Sequence, residues 1–200
     1  MKMKCLLLLL LMVSLNGFAQ TYQSQIDAYR KGYKNDFLED KNSPLKQDDL
    51  QYLRFYEADS TYKVEANVEL ISNTPTFIMP VFNGTGREYA PYAKLKFMLK
   101  GKPMELTMYR SIVLSKLPAY KDYLFLPFTD ETNGRETYAG GRYIDLREGD
   151  IKNNSVVIDF NKAYNPYCAF GGGYSCPKPP NENHLTYAIQ AGEKLYAKGH

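Results

Sequence analysis

The chain has 200 residues, of which 24% are charged, with 25 Lys+Arg against 22 Asp+Glu and a formal net charge of +3. That length fits one domain able to bury a core without many cross-links, and the small charge lacks the concentrated basic stripe of a nucleic-acid binder. Tryptophan is absent, but 18 tyrosines and 10 phenylalanines suit strands, whose pleated, half-buried surfaces accept aromatic rings.

Residues 1–19, MKMKCLLLLLLMVSLNGFA, have a basic start, an apolar run, and Gly17 and Ala19 at the spacing signal peptidase prefers. The pattern predicts a secretory leader cleaved after Ala19, too short to span a membrane as a mature helix. Cys5 opens the apolar run, whereas a lipoprotein cysteine would follow it. Removing Lys2 and Lys4 leaves 25 − 2 = 23 basic residues against 22 acidic ones, a mature charge of +1. The expectation is an exported protein, periplasmic or extracellular, with no transmembrane segment in its mature chain.

Ile26, Tyr29, Tyr33 and Phe37 recur at steps of three and four, which predicts a helix over 21–40. Ser43-Pro44 then reads as a cap and first helical position for a short helix carrying Leu45, Leu50 and Leu53. Residues 20–46 form a helical lead-in, and 47–200 a single β-rich domain. From Arg54 the period becomes two: Val64, Ala66, Val68 and Leu70 alternate with polar residues, as do Leu95, Phe97 and Leu99 and then Met104, Leu106 and Met108. Gly101-Lys102 reads as the tight turn joining the last two runs. Further strands are expected at TFIMPVF, RSIVLSK, YLFLPF, GGRYIDL and SVVIDFN, with a last one at LTYAI. Many short strands without intervening helices predict a mainly β chain: an antiparallel β-barrel or sandwich with N-terminal helices.

Chemistry concentrates near the C-terminus. Cys168 and Cys176 bracket three glycines in NPYCAFGGGYSC. In an oxidising compartment such a pair forms a disulfide. The alternatives are a metal site of Cys168, Cys176 and His184, which lacks both a tight C-x₂₋₄-C knuckle and a fourth ligand, and a Cys–His nucleophile. Asn161, Tyr164 and Asn165 lead into this loop and a proline-rich run ending at Asn183 leaves it, a density of amide and phenol suited to a rigid polar cup. Upstream, Gly140-Gly141 allows close backbone approach immediately before Arg142. No phosphate-loop, dinucleotide or G-x-S-x-G signature occurs, and no cofactor is expected.

DFNKAYNPYCAFGGGYSCPKPPNENHL, the following AGEK, TNGRETYAGGRYIDL and YLRFYEADSTYKV together resemble the domain of unknown function 1684 family over about residues 48–195. The resemblance implies that Arg54, Glu136, Tyr138, Gly141, Arg142, Tyr143, Asp159, Asn161, Asn165, Pro166, Cys168, Cys176, Pro177, Asn183 and Glu193 are motif positions. It brings no activity. His184 stands where the family pattern has arginine, which weakens any role resting on that histidine. The resulting expectation is a small-ligand-binding or envelope-associated module with a polar pocket near Asn161 to Asn183. Arg54 and Arg142 would anchor an anion, Asn161 and Asn165 would orient the ligand, and Tyr138, Tyr143, Tyr164, Asn183 and Glu193 complete the candidate set. A hydrolase using Asp159 or Glu193, or a Cys/metal site, is the rival; a purely structural or partner-binding role is the third reading.

Overall fold

The computed structural model describes residues 2–198, with side chains from residue 21 onward. The side chains of the expected leader and its cleavage point therefore lie outside the described residues, as does His200. Helix α1 runs from Lys2 to Glu39 and contains the predicted 21–40 segment, burying Ile26 and Phe37. It stops where the Asp40 side chain accepts from the Asn42 N–H at 2.8 Å. Ser43 does not cap a following α-helix: its Oγ exchanges hydrogen bonds with the Leu45 backbone, and the next turn is a 3-10 segment, Gln47–Tyr52. No described helix is long and apolar enough to cross a membrane.

Eight strands follow: β1 (Lys63–Leu70), β2 (Phe77–Met79), β3 (Arg87–Leu99), β4 (Lys102–Ser111), β5 (Tyr123–Asp130), β6 (Arg142–Arg147), β7 (Ser155–Asp159) and β8 (His184–Leu185). Six of them form the sheet order β6-β5-β4-β3-β1-β7, all antiparallel, while β2 pairs with β3 and β8 adds parallel to β5. The sheet curls into a half-barrel whose margins are β6 and β7. Alternation explains its core: Ala93, Leu95, Phe97 and Leu99 of β3 meet Leu106 and Met108 of β4, Leu124, Leu126 and Phe128 of β5 and Ile158 of β7. On the outer face Lys94–Glu105 and Lys96–Glu69 pair across strands, and their exposure to screening water makes each contribute little to stability.

Several sequence expectations shift by local physics. The β3–β4 turn is Lys100-Gly101, one residue earlier than expected, because the two-residue turn demands positive φ at both positions (49° and 77°). Of TFIMPVF only Phe77–Met79 is strand, since Pro80 offers no N–H to continue the ladder. RSIVLSK turns into a 3-10 segment after Ser111, and of LTYAI only Leu185 is strand, the second residue of β8. The tail from Ile189 to Glu193 is held instead by Arg142. That guanidinium is fully buried, pairs with equally buried Asp130 at 2.9 Å, and donates to the carbonyls of Ile189, Ala191 and Glu193. Gly192 allows this close pass: at φ +79° its Cβ position lies 2.6 Å from the Phe160 carbonyl.

Candidate functional site

A cleft of about 1170 Å³ opens between the two margins of the half-barrel, walled by α1 on one side and by the segment from Tyr164 to Pro177 on the other. Strand β6 places chemistry in it by simple alternation. Ile144 and Leu146 enter the core, so Tyr143 and Asp145 face the cleft. Tyr164 is brought alongside because its backbone exchanges two hydrogen bonds with Tyr143, at 2.9 and 3.0 Å.

Asp145 is the centre of this arrangement. Its Oδ1 accepts from the Tyr123 phenol at 2.7 Å and from the Tyr164 phenol at 2.8 Å, and no described residue bonds its Oδ2. Solvent reaches the carboxylate through the cleft mouth, yet protein crowds it elsewhere. That crowding raises its pKa above the ordinary carboxylate value, against the lowering by both phenols and by Arg147. The neighbouring phenols are pushed up in turn: burial is the first cause for Tyr29, Tyr123 and Tyr164, with the Asp145 charge next. These tyrosines remain hydrogen-bond donors at any physiological pH.

Aromatic rings continue the wall. Tyr89 tilts against Phe125 (5.6 Å), Phe125 meets Tyr143 edge-on (4.8 Å), Tyr143 meets Tyr164 (5.8 Å), and Tyr164 meets Tyr33 of α1 (5.9 Å). Four cations, Lys63, Arg87, Lys152 and Lys162, also line the cleft, and none has a carboxylate partner among the described residues. Lys63 lies 5.7 Å over the Tyr22 ring and Lys162 5.4 Å over that of Tyr29.

Behind Tyr33 sits a second acid. Its phenol donates to Glu193 Oε2 at 2.8 Å, as does the Asn165 N–H at 2.8 Å. Glu193 is fully buried, and burial pushes its pKa up to about 8 against lowering by those hydrogen bonds and by Arg142. Glu193 Oε1 and Asn165 Oδ1 are both buried without a donor. A proton on Oε1 is the neutral form that this burial favours.

The expected disulfide is present: Cys168 and Cys176 are bonded, with Cα atoms 6.2 Å apart. It shapes the loop that carries Tyr167, Tyr174 and Pro177 to the cleft. His184 does not join it, being engaged by Thr129 Oγ1 at 3.0 Å and Glu131 at 3.4 Å. Among the described residues no three His, Cys, Asp or Glu side chains gather as a metal-ligand set.

Of the residues singled out from sequence, Tyr143, Asp159, Tyr164, Pro166, Cys176 and Pro177 line the cleft, with Asn165 and Glu193 one layer behind it. Arg54, Tyr138, Arg142, Asn161 and Asn183 serve elsewhere. Arg54 is exposed and directs its Nε and Nη2 to the Leu195 carbonyl. Arg142 has no accessible surface for an anion. Asn161 ties the Asp59 backbone to Tyr22 and Asp159, and Asn183 staples Thr107 and Pro127. Tyr138 packs on Phe82. Sequence reasoning missed Asp145, Tyr123, Tyr33 and Arg87. The alternation in GGRYIDL held one clue, because it sets Asp145 opposite Ile144 and Leu146.

Residues 48–194 match a family model described as a protein of unknown function, DUF1684. The chain is also similar to an uncharacterised protein of Haloarcula marismortui solved by solution NMR. The two are 30% identical, with a TM-score of 0.67, covering 90% of this chain and 97% of that one. Among curated proteins none matches.

Proposed function

Since the chain belongs to the family of unknown function 1684, and membership brings no activity with it, we propose from the cleft that it is an exported ligand-binding module. The observation that carries this reading is Asp145: a carboxylate fixed through Oδ1 by two phenols, with Oδ2 turned free into a tyrosine-lined cleft. Such a group costs stability unless something uses it, because desolvation already opposes its charge. A concave site with a few convergent polar groups on a rigid sheet is the usual form of a binding site. The leader-like residues 1–19 and the disulfide support export.

Hydrolysis by a carboxylate pair is less well supported. Glu193 is fully buried behind Tyr33, and Asp159, although in the cleft lining, is buried and accepts from Tyr22 and Asn161 on Oδ1. The reading is tested by ligand-observed NMR screening of the purified protein against Asp145→Asn and Tyr164→Phe. Saturable binding that weakens at least about tenfold, or 1.4 kcal/mol, in Asp145→Asn supports it. Hits that bind both variants as tightly as the wild type sink the site, and catalytic turnover of a bound compound moves the assignment to the enzyme reading.

A further inference from the structure

The tyrosines of the cleft offer a ligand oxygen lone pairs rather than hydrogens. Seven line it, and six of these give their single hydroxyl hydrogen to the protein. Tyr29 donates to the Lys162 carbonyl at 3.0 Å, Tyr33 to Glu193 at 2.8 Å, Tyr164 to Asp145 Oδ1 at 2.8 Å and Tyr167 to Asp40 at 2.8 Å. Tyr174 donates to the Asn42 carbonyl at 2.9 Å, and Tyr143 to that of Pro177. Each of the six phenol oxygens can then only accept, as can the free Oδ2 of Asp145.

Donors come from the charged heads of Lys63, Arg87, Lys152 and Lys162. Against these four cations the same lining sets Asp36, Asp145, Asp150 and Asp159, so the charges balance and neither sign of ligand is selected. An anion without a hydrogen to give would turn its lone pairs on those of Asp145 Oδ2 and the phenols. An ammonium would suit these acceptors but would meet four cations whose hydrogens it cannot accept. A hydroxyl group serves both sets, since it donates one hydrogen and accepts through two lone pairs. Size and surface agree. At about 1170 Å³ the cleft exceeds the range of about 300–1000 Å³ usual for small-ligand sites, room for more than one sugar ring. The exposed ring of Tyr120 and the half-exposed side chain of Val157 add apolar area on which C–H faces can pack.

We propose, resting on the cleft reading above, that the ligand is a neutral saccharide. Its hydroxyl hydrogens go to Asp145 Oδ2 and the phenol oxygens, and its hydroxyl lone pairs to the lining cations.

The test uses the full disulfide-bonded protein, ¹⁵N-labelled and titrated with a panel of methyl pyranosides and neutral di- and trisaccharides, with alkylammonium and dicarboxylate compounds as charged probes. At least one glycoside is expected to shift the amides of Tyr143 to Leu146 and of Tyr164 saturably. Its affinity is expected to change less than about twofold between about 0.05 and 0.5 M salt, since no net charge is matched. Deoxy and deoxyfluoro analogues of that glycoside then identify its donors, because fluorine can accept but has no hydrogen. At one hydroxyl or more, both replacements are expected to weaken binding at least about tenfold. In Asp145→Asn the amide puts hydrogens where Oδ2 accepts, so the parent glycoside is expected to weaken at least about tenfold and the handicap of the fluoro analogue to narrow. If that variant fails to fold, the analogue series on the wild type decides alone.

No glycoside shifting those amides, fluoro analogues that bind as tightly as the parent at every position, or charged probes that bind more tightly than every glycoside overturn the proposal. Charged probes that depend on Asp145 while no glycoside binds refute the saccharide and leave the cleft reading standing. Glycoside binding that shifts amides elsewhere and ignores Asp145→Asn refutes both.

Discussion

Glu193→Gln isolates one buried proton. The folded chain holds the Glu193 proton up to a pKa of about 8, whereas the unfolded chain releases it near the ordinary value of 4.5. Between those values the native state binds more protons than the unfolded one, so this group's contribution to stability falls as pH rises, by about 1.4 kcal/mol per pH unit. From pH 5 to pH 7 the wild type loses about 3 kcal/mol through this group alone. Glutamine keeps the geometry without the titration: its Oε1 accepts from the Tyr33 phenol and the Asn165 N–H, as Glu193 Oε2 does. Urea unfolding of both proteins at pH 5 and 7 gives the difference, in which every other titrating group cancels. That difference is expected to move about 3 kcal/mol in favour of the variant between the two pH values. A constant difference, or one moving in favour of the wild type, would falsify the neutral-acid assignment.

Arg142→Met strands Asp130 as a buried, unpaired carboxylate and is expected to cost about 3–5 kcal/mol in urea unfolding, with part recovered in the double variant carrying Asp130→Asn. A cost under about 1 kcal/mol would mean that the carbonyls of the tail do not depend on the guanidinium. Asn183→Ala removes one acceptor and two donors that join Thr107 to Pro127, and a loss of at least about 2 kcal/mol is expected, read as a lower thermal midpoint. Reducing Cys168–Cys176 opens a loop of eight-residue separation and is expected to lower stability by about 2.5 kcal/mol, measured by urea unfolding with and without reductant.

The fold was legible where period and burial agree. Ala66 and Val68, and Leu95 to Met108, declare their faces because apolar residues there alternate with polar neighbours on the wet side, whereas Leu70, expected inside, ends β1 exposed. The expectations for RSIVLSK and LTYAI held only at one end: Arg110 and Ser111 finish β4 before a 3-10 turn, and Leu185 pairs with β5 before the chain hands its Ile189 carbonyl to Arg142. The site was less visible. Arg142, Asn161 and Asn183 look like ligand contacts in sequence because buried polar networks and binding sites use the same residue types. What separates them is which polar atoms already have partners, a property of three dimensions. Asp145 is the converse: an unremarked residue in an alternating strand, made unusual by phenols 22 and 19 residues away.

Arg142 has a further consequence for synthesis. Its acceptors on Ile189, Ala191 and Glu193 lie 47, 49 and 51 residues further along the chain. A nascent polypeptide that has already emerged through β6 carries a guanidinium whose resting place has not been translated. Closing the half-barrel around that cation before the tail arrives leaves it without those three acceptors, so a stable intermediate is disfavoured until then. The guanidinium and the carbonyls it gathers thus come together only once residues 189–193 have been added to the chain.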